Sequence, residues 1–117
     1  MSLTINIGAS STAVLALNQR LANGFVHQLY GANYTDLTRV TSTLNIGKTD
    51  TAKVREAIVV SYENAAGEAK RAYASLEFTI PVDCPQAVAE KLTYMASDLA
   101  RESQTIAMVV NRSLIEA

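Results

Sequence analysis

The chain has 117 residues, 49% hydrophobic and 18% charged, with two prolines, one cysteine and a formal net charge of −1. These values exclude a disordered tail, a disulfide-stapled scaffold and a strong non-specific polyanion binder. They leave one folded domain, 1–117, with a core of its own or one shared between two copies. The longest apolar runs, such as 13–17, fall short of a membrane span, and the first residues lack a basic signal-peptide start, so the chain reads as soluble and unexported, with no membrane partner.

In chain order, "LTINI" (3–7) alternates apolar and polar residues, "GASST" supplies turn residues and "AVLAL" (13–17) returns, which predicts a hairpin. A strand from Phe25 to Tyr30 follows, framed by Gly24 and Gly31. "DLTRVTSTLNI" (36–46) sets Val40, Leu44 and Ile46 on one parity and Arg39, Thr41, Thr43 and Asn45 on the other, and "GKTD" turns the chain. In "AKVREAIVVSYEN" (52–64), Val54, Ile58, Val60 and Tyr62 share a face opposite Lys53, Arg55 and Ser61, and strict alternation puts Ala57 and Val59 with the latter. "AAGEAK" makes the last hairpin loop. "RAYASLEFTIP" (71–81) then places Tyr73, Ser75, Glu77 and Thr79 on one parity and Ala74, Leu76, Phe78 and Ile80 on the other.

After Pro81 the period lengthens from two to nearly four. Pro85 suits a first helical turn, with Asp83 or Cys84 near the cap, and Val88, Leu92, Met95 and Leu99 form one stripe. A second helix begins near Ser103, with Ile106, Val109, Val110 and Leu114 as its stripe and the polar "ARESQ" allowing a bend before it. Hairpin and sheet over 1–81 and helices over 82–117 make an α+β chain: an antiparallel meander sheet preceded by an N-terminal β-hairpin and followed by two C-terminal helices covering one sheet face.

An antiparallel sheet covered on one face leaves the other wet. Three successive strands here carry Thr, Arg, Lys or Tyr on that wet face, which is either a solvated surface or a flat platform for nucleic acid. The charge split bears on the choice. From 39 to 71 there are six basic residues (Arg39, Lys48, Lys53, Arg55, Lys70, Arg71) and four acidic ones (Asp50, Glu56, Glu63, Glu68). From 82 onward, three basic residues (Lys91, Arg101, Arg112) face five acidic ones (Asp83, Glu90, Asp98, Glu102, Glu116). The sheet segment is thus mildly positive and the helical segment mildly negative. No catalytic, metal or cofactor pattern appears. Cys84 has no second Cys or partner His at zinc-ligand spacing, and His27 reads as a satisfied structural histidine. There is no Gly-rich phosphate loop, nucleophile elbow or carboxylate pair to serve a small-molecule substrate.

The stretch "AKRAYASLEFTIP" (69–81) resembles the last strand of the coat proteins of single-stranded RNA bacteriophages, the leviviruses, and "TRVTSTLN" (38–45) is similar to an earlier strand of that family. Element order and length agree as well. The resemblance implies an intertwined homodimer, with edge-to-edge pairing of the sheets and each copy's helices over its partner. It further implies an icosahedral shell, typically T=3, with sheets inside and helices outside, found in the virion and assembled in the bacterial cytoplasm around single-stranded genomic RNA. Family members also bind a genomic stem-loop, repressing replicase translation. Carried over by position, the resemblance makes Tyr73 a base-stacking residue, with Ser75 and Glu77 contacting RNA or shaping its site. Arg39, Thr41, Thr43 and Asn45 supply polar and basic contacts, and Lys53 and Arg55 reach phosphates. Ala57 and Val59 depart from the family's polar or basic residues, Glu77 adds a negative charge to the same face, and the "NAAGEAK" loop is short. A non-viral RNA-binding regulatory dimer that builds no shell is the alternative reading; an enzyme finds no residues to support it.

Overall fold

A computed structural model describes residues 2–8, 10–30 and 37–112. Strands β1 (Ser2–Asn6), β2 (Thr12–Leu21), β3 (Gly24–Tyr30), β4 (Leu37–Ile46), β5 (Ala52–Glu63) and β6 (Ala69–Ile80) precede helices α1 (Gln86–Arg101) and α2 (Ser103–Asn111). The N-terminal hairpin is continuous with the meander, since all six strands form one sheet in chain order. The pairings from β1 through β5 are antiparallel. The chain divides after Thr79 into a sheet unit and a helical unit.

Strand β2 runs four residues beyond the "AVLAL" segment, because its pairing with β3 continues across a register shift between Leu17 and Gln19 that makes Asn18 an extra residue. Such a bulge sets two residues of one strand against one of its neighbour. The two later hairpins close alike. Gly47 N–H donates to the Thr51 carbonyl (3.1 Å) and Asp50 N–H to the Gly47 carbonyl (3.0 Å), with Asp50 at φ 57°. Asn64 N–H donates to the Glu68 carbonyl (2.9 Å) and Gly67 N–H to the Asn64 carbonyl (3.0 Å), with Gly67 at φ 81°. The Asn64 Oδ1 also accepts from the N–H groups of Ala66 (3.0 Å) and Glu68 (2.9 Å). A left-handed residue before the return strand is what a three-residue hairpin loop needs, and glycine adopts that conformation without Cβ strain.

Directly opposed residues of an antiparallel pair share a face. Val40 opposes Ile58, Leu44 opposes Val54 and Ile46 opposes Ala52, which fixes the apolar face foreseen from alternation. Its buried part holds Val40 and the wholly buried Leu15, together with His27. Leu44, Ile46, Val60 and Tyr62 on this face are exposed, as is Leu76 of β6. Gly24 begins β3 where its backbone meets β4 too closely for a side chain: a Cβ there would strike the Ser42 carbonyl oxygen and lie 2.9 Å from the Thr43 Cα.

In the helical unit, the N-cap of α1 is Pro85 itself, in extended conformation and without a side-chain cap, rather than Asp83 or Cys84. The reason is a tight turn before it. Cys84 N–H donates to the Pro81 carbonyl (3.0 Å) and its thiol lies 3.5 Å from the Pro85 carbonyl, so both predicted caps are used up or passed before the helix starts. The bend between the helices is a single residue, Glu102, extended at φ −61° and ψ 139° and capping both. Neither helix contains a buried residue; Val88, Leu92, Met95 and Leu99 of α1 and Ile106, Val109 and Val110 of α2 are all exposed. Leu114, assigned to the second stripe from sequence, lies outside the described residues.

Candidate nucleic-acid interface

The face opposite the apolar one is fixed by the same register. Arg39 opposes Val59, Thr41 opposes Ala57, Thr43 opposes Arg55 and Asn45 opposes Lys53, with no shift along the β4–β5 pair. Across β3, Gln28 opposes Arg39 and Val26 opposes Thr41. Strand β6 adjoins this face at a shallow depression lined by Arg55, Ala57, Ile58 and Val59 of β5 and by Tyr73, Ala74 and Ser75 of β6. Glu77, two residues beyond Ser75, falls on the same side. All nine residues assigned to RNA from sequence therefore share one surface. Arg39, Thr41 and Thr43 are half-buried, whereas Asn45, Lys53, Arg55, Tyr73, Ser75 and Glu77 are exposed.

The surface is positive and anchored by side-chain hydrogen bonds. By alternation it carries Arg39, Lys53, Arg55 and Arg71 against Glu63 and Glu77. Among the described residues the only ion pair is Lys70 with Glu68, at 3.9 Å, so no carboxylate neutralises those four cations directly. The Arg39 Nε donates to Gln28 Oε1 (3.2 Å), and Gln28 Nε2 donates to Asn18 Oδ1 (3.2 Å). Asn23 Nδ2 donates to Asn45 Oδ1 (2.9 Å) at one end of the face. Tyr73 is 73% exposed, so its ring presents a stacking surface that the sheet unit leaves open.

The opposite face mixes its apolar side chains with Arg20, Ser42 and Glu56. The Ser42 hydroxyl donates to Glu56 (2.6 Å), and the Arg20 guanidinium lies 5.5 Å from the Phe25 ring centroid. His27, 4% exposed, is buried as expected of a structural residue, but neither ring nitrogen has a hydrogen-bond partner among the described residues, which corrects its reading as satisfied. Its neighbours on that face, Phe25 and Val40, offer no polar atom from their side chains. No group of three metal-ligating side chains gathers among the described residues.

The chain aligns over nearly its whole length with solved phage particles. Matches include the virus-like particle of Beihai levi-like virus 21 (TM-score 0.81, 12% identity, 99% of this chain and 97% of that one). The bacteriophage EMS014 coat protein (0.74, 15%, 99% and 97%) and the bacteriophage GA capsid protein (0.72, 16%, 96% and 94%) are further examples. The chain has the coat-protein fold. No family model and no curated protein matches it. The likeness carried in sequence by 38–45 and 69–81 thus extends, as a likeness of fold, across the chain.

Within the coat-protein fold, sequence reasoning located the strands that bear the polar face but missed three of its residues. Gln28 lies in "FVHQLY", whose alternation is interrupted by His27, so its face becomes visible only through pairing with Arg39. Asn18 reaches the face through a bulge that no turn residue announces. Arg71 was legible by parity with Tyr73.

Proposed function

We propose that the chain is the coat subunit of a small RNA bacteriophage, which dimerises and assembles into an icosahedral shell enclosing single-stranded RNA. The observation that carries this reading is the end-to-end match, in both directions, with proteins solved as virus-like particles and capsids. The role is structural and not enzymatic. Dimerisation is supported by two sets of exposed apolar side chains: Leu44, Ile46, Val60 and Tyr62 on the sheet, and Val88, Leu92, Met95 and Leu99 on α1. A second copy laying its helices over this copy's apolar sheet face would cover both sets. Each large aliphatic side chain removed from water contributes about 1.5–3 kcal/mol, enough in number to offset the entropy of association.

The polar face then turns inward to RNA. Tyr73 stacks on a base, Arg39, Lys53 and Arg55 meet phosphates, and Thr41, Thr43, Asn45 and Ser75 supply hydrogen bonds. Glu77 and the small cation count keep each dimer's grip weak, and a shell compensates by presenting many copies to one RNA. Ala57 and Val59 occupy the centre of the face, so recognition of a particular stem-loop rests on the residues around them. The test is expression in bacteria followed by size-exclusion chromatography, nuclease treatment and electron microscopy. Uniform round particles that protect RNA are expected. A species no larger than a dimer at every concentration, even with RNA added, would refute shell formation and favour the regulatory dimer.

A further inference from the structure

We propose that Asn18, Gln28 and Arg39 form a prebuilt site for an RNA phosphodiester, in which Gln28 positions the Arg39 guanidinium; the inference rests on the reading that this face meets RNA. Gln28 and Arg39 are direct cross-strand partners, and Arg39 is half-buried beside its strand neighbours. The bond from Arg39 Nε to Gln28 Oε1 (3.2 Å) holds the guanidinium by its inner nitrogen, and neither Nη group has a partner among the described residues, which leaves both for a ligand. Two parallel N–H groups match two phosphate oxygens, the geometry in which arginine binds anions most strongly. Gln28 is steadied in turn by its bond to Asn18 Oδ1 (3.2 Å). The β2 bulge makes this contact available: Ala16 already opposes Gln28 and Gln19 opposes Val26, so Asn18 is the additional residue, set beside Gln28 on the same face.

This arrangement separates Arg39 from the other cations of the face. Lys53 and Arg55 are exposed, without side-chain partners among the described residues, and must give up rotamer freedom when they bind. Arg39 has given up that freedom on folding. Its place is also suited to one nucleotide. Arg39 opposes Val59, and Val59 lines the same depression as Tyr73, so guanidinium, methyl floor and aromatic ring follow one another across three neighbouring strands. With strands about 4.8 Å apart, the backbones at Arg39 and Tyr73 are separated by roughly 10 Å, which their long side chains narrow to the span of a base and its phosphate.

A double-mutant cycle tests the site on the full chain held below its assembly concentration, with fluorescein-labelled oligouridylate as the probe and anisotropy as the readout. Gln28→Leu is expected to weaken binding about fivefold or more in the wild-type background and by less than about twofold in an Arg39→Ala background, because its effect passes through Arg39. Asn18→Ala, at an exposed position, should show a smaller loss that also vanishes with Arg39→Ala, and it guards against a folding defect in the first variant. Equal losses in both backgrounds, or no loss in either, would overturn the phosphate site while leaving the coat reading intact. Failure of the unmutated chain to bind the probe at any salt concentration would overturn both this site and the RNA-facing role of the sheet.

Discussion

Replacing Tyr73 by alanine isolates the stacking contribution from the fold. The ring is 73% exposed and lies on the polar face, so its removal opens no cavity in the sheet unit, and stability should change by no more than about 0.5 kcal/mol. A base stacked on an aromatic side chain contributes about 1–3 kcal/mol, which corresponds to a loss of roughly 5- to 150-fold in RNA affinity. Tyr73→Phe keeps the ring and should stay within about twofold of wild type, because stacking does not need the hydroxyl. Fluorescence anisotropy with a labelled RNA, at one fixed salt concentration, reads the affinity, and urea denaturation checks the fold. Wild-type affinity in Tyr73→Ala, with the protein folded, would refute a stacking role for this residue and move RNA contact elsewhere on the face.

Four further outcomes follow from the same geometry. Leu99→Asp on the exposed α1 stripe should abolish dimers, read by sedimentation, while leaving the helical signal in circular dichroism, since no residue of α1 is buried within one chain. Gly24→Ala should destabilise the sheet by about 2 kcal/mol or more, because the new Cβ meets the Ser42 carbonyl on an adjacent backbone that cannot move aside cheaply; loss of soluble protein or a lowered melting temperature is the readout. Glu77→Gln removes a like charge to phosphate from the polar face and should raise RNA affinity severalfold at low salt, with the gain shrinking as salt rises. His27→Leu should stabilise the chain by about 1 kcal/mol in urea denaturation, since it removes a buried imidazole with two unpartnered nitrogens from an apolar setting.

Local pattern made much of this legible. Strand β6 alternates without interruption, and Pro81 and Pro85 bracket the change from strand to helix, so both elements were readable from residues alone. Alternation within β5 and within β6 was readable strand by strand. The grouping of Arg55, Tyr73 and Ser75 came from the resemblance to the coat proteins, and all three line one depression. Features that depend on pairing between strands were less accessible. The β2 bulge arises from register with β3, and the placement of Gln28 beside Arg39 requires both pairings at once. The cap of α1 was misplaced for a similar reason: the Pro81–Cys84 turn is a backbone hydrogen bond, and the sequence offers Asp83 as an equally good cap. His27 shows the limit of residue type as a guide, since burial was foreseeable but the lack of a partner depends on what faces it.

Electron cryomicroscopy of the particles formed in bacteria reads assembly, orientation and RNA together. A closed icosahedral shell of dimers is expected, with helices on the outer surface and RNA density against the face that carries Arg39, Arg55 and Tyr73. A shell with that face turned outward, or one whose interior density avoids it, would contradict the assignment of the sheet as the RNA surface. Failure to form any closed particle would contradict the coat role itself.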